Sequence, residues 1–148
     1  MKPVRTMILM ASESRMRLAE NAGVGKGVSE LLTRDATDFE GLSHGYADAP
    51  GRGQAAPGMA GHGVDRTTSE REQARDAFAD KVLETTLEHW RSGSYDRLIV
   101  AAPPRMLGTL RAALPAPLVS ALSADLDKDL TKLPVIDLPR HLESVLAV

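Results

Sequence analysis

The chain contains no cysteine, which removes disulfides, thiolate metal sites and cysteine nucleophiles together. Aromatic residues make up only 3% of it, so its core must be built from Leu, Val, Ala and Met, and few rings are left to stack on exposed bases. No apolar run approaches membrane-spanning length, so membrane insertion is not expected. The formal net charge of -2 gives no overall electrostatic drive toward free nucleic acid. The opening residues carry Lys2 and Arg5 ahead of an apolar run, but that run is too short for a signal-peptide core and leads into Glu13, Arg15 and Arg17. A cytoplasmic location is therefore expected. What is present is ordinary for a globular protein: 43% hydrophobic and 26% charged residues over 148 positions suit a single domain, residues 1–148, with one sizeable core.

The stretch Tyr95 to Lys132 organises the rest. Leu98 to Ala102 is an unbroken apolar run, as a strand covered on both faces requires, and Pro103-Pro104 stops it. Pro104 suits the first turn of a helix because it has no amide hydrogen to leave unpaired, and Leu107, Leu110 and Leu114 follow at i, i+3 and i+7. Upstream, Thr6 to Ala11 reads as a central strand. Arg15-Met16-Arg17-Leu18 alternates charged with apolar, which predicts a strand with one wet face. Gly23, Gly25 and Gly27 punctuate a turn into a third strand near Val28 to Thr33, completing an antiparallel meander. Downstream, Pro115-Ala116-Pro117 breaks the helix, Leu118 to Leu122 forms a further turn, and Ser123 to Leu126 is a last strand joined to Leu98–Ala102 by a helical crossover and so parallel to it. Leu138, Leu142, Val145 and Leu146 predict a closing helix, with Asp137 as cap and Pro139 in its first turn.

From about residue 35 to 68 no apolar period survives, and seven of the twelve glycines lie between Gly41 and Gly63. This is a glycine-rich loop, longer than compact domains usually tolerate without a functional reason. It ends where Thr67 with Glu70, and Ser69 with Glu72, match the capping-box spacing. The helix that follows runs to about Arg91. Phe78, Val82, Leu83, Leu87 and Trp90 form its buried stripe, with Arg71, Arg75, Asp76, Asp80 and Glu84 on the wet side. Gly93 terminates it.

Several patterns invite chemistry. Gly23-Val24-Gly25-Lys26-Gly27 lacks the spacing of a phosphate loop, since Glu20 stands where the first glycine belongs and Gly27 where a hydroxyl belongs. It reads as a turn. His44, His62 and Asp65 have suitable donor types for a metal but no fixed ligand spacing. Asp125, Asp127 and Asp129 alternate, which in an extended segment puts three carboxylates on one face, and with Glu13 they open a metal-dependent nuclease reading. The same alternation describes a polar strand exit, and no metal or other cofactor is expected. Arg71 and Arg75, one turn apart beside the loop, are candidates for holding a phosphate, against local ion pairs with Glu70, Glu72 and Asp76.

A strand ending in Ala101-Ala102-Pro103-Pro104, then Leu107-Gly108-Thr109-Leu110-Arg111, then Asp127-Lys128-Asp129-Leu130-Thr131, resembles the bacterial host attachment protein family, required for attachment to host cells. That family is similar in fold to the middle domain of archaeal and eukaryotic class-one peptide release factors. The resemblance implies a single α/β domain, a mixed sheet with helices packed on it in a ribonuclease-H-like layout. In the release factors a Gly-Gly-Gln element in the loop before a long helix helps position the water that cleaves peptidyl-tRNA. Gly51-Arg52-Gly53-Gln54 occupies the same topological slot here, with Arg52 in place of the first glycine and Gln54 as the single catalytic candidate. The substitution forfeits backbone freedom where that chemistry needs it. The first expectation is thus a noncatalytic interaction protein with a protein partner, affecting attachment indirectly. The alternatives are a ribosome-associated rescue or termination factor using Gly51 to Gln54, and the nuclease.

Overall fold

The computed structural model describes residues 2–39, 41–42 and 63–146, with the backbone alone for 63–67. Five strands, β1 (Thr6–Ala11), β2 (Arg15–Asn21), β3 (Ser29–Asp35), β4 (Arg97–Ala101) and β5 (Leu122–Leu126), form one mixed sheet in the order β3-β2-β1-β4-β5. β1 is buried at all of its positions, as its apolar sequence demands of a central strand. It pairs antiparallel with β2 and parallel with β4, while β5 adds to β4 in parallel. The meander and the parallel crossover are therefore both present. Gly23, Gly25 and Gly27 all adopt positive φ between β2 and β3, a region that only glycine enters without strain.

The pleat divides the core in two. Met7, Leu9, Met16, Leu18, Leu98 and Val100 face three helices, α1 (Gly63–Ser92), α2 (Pro104–Ala113) and α3 (Ala116–Ala121). Ile8, Met10, Ala19, Ile99 and Ala101 face the C-terminal segment, which contributes Leu130 together with Leu138 and Leu142 of α4 (Leu138–Leu142), and then Leu146. Pro103 precedes α2 in extended conformation, and its carbonyl accepts from the Leu107 amide at 2.8 Å. Met106, Leu107 and Leu110 form the buried stripe of α2.

Three expectations are corrected. The wet face of β2 is not wet: Arg17 is only 5% exposed, because the C-terminal segment crosses that face and its carbonyls take the guanidinium. α1 starts at Gly63, so Thr67 and Ser69 lie inside the helix rather than at its cap, and a 3-10 turn at Ala36–Asp38 orders the beginning of the span read as loop. Asp137 makes no side-chain cap bond to α4 and is itself in helical conformation, because the 3-10 turn Val135–Asp137 leads directly into that helix.

At the amino end of the sheet, the Arg5 guanidinium pairs with Glu20 at 2.6 Å and lies 4.7 Å from the Tyr95 ring centroid, while Tyr95 stacks on Trp90. Burial first, then Glu20, raises the Tyr95 phenol above its ordinary pKa, with Arg5 pulling the other way. The folded state therefore holds this proton where the unfolded chain releases it. Tyr95's contribution to stability is present below pH ~10 and is lost as pH rises through the raised folded value. In a Tyr46→Phe variant, where Tyr95 is the remaining tyrosine, ultraviolet titration of the phenolate should give a midpoint above that of free tyrosine, and adding Glu20→Gln should lower it. A midpoint at the free value would contradict the packing described.

Candidate functional site

β1, β4 and β5 run parallel, so their carboxyl ends share one edge of the sheet. The chain leaves β1 toward β2 on one side and leaves β4 toward β5 on the other, and this divergence opens a crevice in α/β sheets. The turn after β1 is built by Ser12, whose hydroxyl accepts from the amides of Ser14 and Arg15 at 3.3 and 3.1 Å. Arg15 then pairs with Asp35 of β3 at 2.8 Å, and this carboxylate raises the guanidinium pKa.

Glu13 of the same turn reaches α1. Its carboxylate lies 3.5 Å from Nε of Arg75, and that nitrogen has no hydrogen-bond partner: the charges meet, but without hydrogen-bond geometry. Arg75 is 8% exposed rather than wet; the contact with Glu13 fixes it at the edge of the sheet, in place of the local ion pairs expected with Glu72 and Asp76. Arg71, one turn earlier, is exposed. Since Arg75 is level with the β1–β2 turn, the twelve helical residues before it extend ~18 Å further at 1.5 Å per residue, and residues 68–73 are exposed. The chain from Gly51, Arg52, Gly53 and Gln54 enters this end of α1. These four residues lie outside the described residues, as do His44 and His62.

The signature residues divide by role. Pro103 and Pro104 start α2, Leu107 and Leu110 bury its stripe, and Leu130 and Thr131 are buried under the sheet. Asp129 shapes the turn that brings them there, its Oδ1 accepting from the amide and hydroxyl of Thr131 at 2.9 and 2.6 Å. Gly108, Asp127 and Lys128 are exposed, and Arg111 pairs with Asp125 at 3.3 Å. The three alternating aspartates do not share a strand face, because β5 ends at Leu126 and Asp129 is committed to its own turn. Among the described residues no group of three His, Cys, Asp or Glu gathers at metal-binding distance.

α1 and α2 both return from the carboxyl edge and run side by side in the same direction. Between them lies an open groove of about 870 Å³, walled by Glu72, Asp76 and Asp80 of α1 and by Gly108, Thr109, Ala112 and Ala113 of α2, with Arg75 and Arg105 also lining it. Sequence reasoning placed Asp76 and Asp80 on the wet side of a helix but not this groove. The i, i+4, i+8 spacing of the three acids was the available signal; that α2 would pack beside them was not.

Residues 5–142 match the family model described as Bacterial archaeo-eukaryotic release factor family 12. The chain belongs to this family. Among solved structures, an archaeal translation termination factor, aRF1, is similar to it with a TM-score of 0.47 and 10% identity, over 95% of this chain and 38% of that one. The chain thus spans well under half the length of that protein. No curated protein matches it in sequence. The family match corresponds to the release-factor side of the resemblance, and its description does not mention host attachment. Among the described residues of this release-factor family member, no helix is long and apolar enough to cross a membrane.

Proposed function

We propose that this member of the release-factor family is a cytoplasmic, ribosome-associated factor that uses the segment Gly51–Gln54. The observation that carries the reading is the family match across residues 5–142. The order of elements supports it, since Gly51–Gln54 precedes a 30-residue helix, as the glutamine element does in the release factors. Association does not require a basic protein overall: with a net charge of -2, contact would rest on local surface and shape rather than on bulk attraction to RNA. Any effect on attachment to host cells would follow indirectly, through other proteins. The chemical part of the reading rests on Gln54 alone, and Arg52 argues for binding without hydrolysis.

Sedimentation of the tagged protein from lysate through a sucrose gradient tests this. Co-migration with ribosomes that disappears when the subunits are dissociated is the expected result, with Gln54→Ala still co-migrating if the role is binding and losing peptidyl-tRNA cleavage if it is chemical. A protein confined to the light fractions, in stressed as in growing cells, would remove the reading.

A further inference from the structure

We propose that the β2–β3 turn, together with the chain entering β1, docks an acidic segment of a partner protein that also carries apolar side chains. This surface lies at the amino end of the sheet, opposite the start of α1, and it does not depend on the ribosomal reading. The turn is held in one shape. Asn21, 1% exposed, donates from Nδ2 to the Gly27 carbonyl at 2.7 Å and accepts at Oδ1 from the Gly23 amide at 3.2 Å, and the Gly23 carbonyl accepts from the Lys26 amide at 3.1 Å. A turn that had only to reverse the chain would carry polar residues at its tip. Val24 stands there instead, 80% exposed, with Lys26 exposed two residues on.

The neighbouring chain extends the same character. A Cβ added at Gly23 would lie 2.9 Å from Cβ of Pro3, so the turn is pressed against that residue, which Lys2 and the 45% exposed Val4 flank. Charge selects the occupant. Glu20, beside the turn, is paired with Arg5, and Asp96 accepts from the Arg5 amide at 2.8 Å. Lys2 and Lys26 make no ion pair among the described residues. Free ammonium groups around exposed valines match carboxylates flanking apolar side chains, and a turn already fixed loses little freedom on binding. RNA fits this surface less well. The valines offer it nothing, and the nearby rings of Trp90 and Tyr95 are stacked on each other with Arg5 over Tyr95, which leaves no platform for a base.

The test uses the full chain and fluorescence anisotropy with a labelled peptide in which glutamate alternates with leucine. Three comparison probes replace leucine by serine, replace glutamate by lysine, or are oligouridylate. The glutamate and leucine peptide is expected to bind, and each comparison probe to bind more weakly. A Lys2→Glu/Lys26→Glu variant should weaken binding about tenfold, and Val24→Ser, which leaves the charge unchanged, about fivefold. These side chains are exposed, so circular dichroism should show both variants folded. Lys128→Glu, an exposed lysine at the carboxyl edge of the sheet, should bind as the parent does. Absence of binding, equal binding by any comparison probe, undiminished binding to Val24→Ser or to the double variant, or equal loss in Lys128→Glu would each overturn the proposal.

Discussion

Arg17→Ala is expected to lower the unfolding free energy by about 3 kcal/mol, seen as a marked fall in the urea midpoint with little change in slope. Arg17 is 5% exposed, and its Nη1 donates to the carbonyls of Leu130 and Leu133 at 3.2 and 2.5 Å while Nε donates to Glu30. Alanine would leave the Leu133 carbonyl without this donor and the Leu130 carbonyl with only the long 3.4 Å bond from the Leu133 amide, at about 1–3 kcal/mol for a buried unpaired group, and would open space between β2 and the C-terminal segment. Glu30 matters less. Its side chain is 43% exposed, so water can replace the guanidinium, and Glu30→Gln should cost no more than about 1 kcal/mol. The two variants therefore separate carbonyl satisfaction from charge pairing. Equal losses in both would show that the ion pair, and not the backbone contact, fastens the C-terminal segment.

The same residue shows where sequence reading stops. Thr6–Ala11 and Leu98–Ala102 were legible as covered strands because each holds five apolar residues in a row, which have one physical explanation in a domain of this size. The Pro103-Pro104 turn into α2 was legible because proline fixes both the end of a strand and the start of a helix. Arg15-Met16-Arg17-Leu18 carried the pattern of a half-wet strand, and nothing local told Arg17 from Arg15. The difference comes from residues more than a hundred positions away, whose carbonyls cover Arg17 but leave Arg15 at the sheet edge with Asp35. Arg75 was misplaced for the same reason, its partner being Glu13 across the fold rather than an acid on its own helix. At the candidate site the acids of α1 were visible, but their shared groove depends on the packing of α2.

Phe78→Ala should cost about 3–5 kcal/mol, the range for deleting a large buried aromatic side chain. Phe78 is 2% exposed and lies where α1 meets the sheet. Phe39 packs against it edge-on, with ring centroids 5.9 Å apart and planes at 71°, a geometry worth about 0.5–1.5 kcal/mol beyond the area it buries. Phe39 and Leu42 are partly buried against this same core just before the segment that carries Gly51–Gln54, and α1 takes the chain up on the other side. Phe78 therefore fastens both flanks of that segment. Phe39→Ala should cost less than Phe78→Ala, and the double variant less than the sum of the two by about the ring-pair energy. Denaturant unfolding of the four proteins gives this coupling directly. If the losses add without coupling, Phe39 is held by other contacts, and the flank before Gly51 is not fastened through α1.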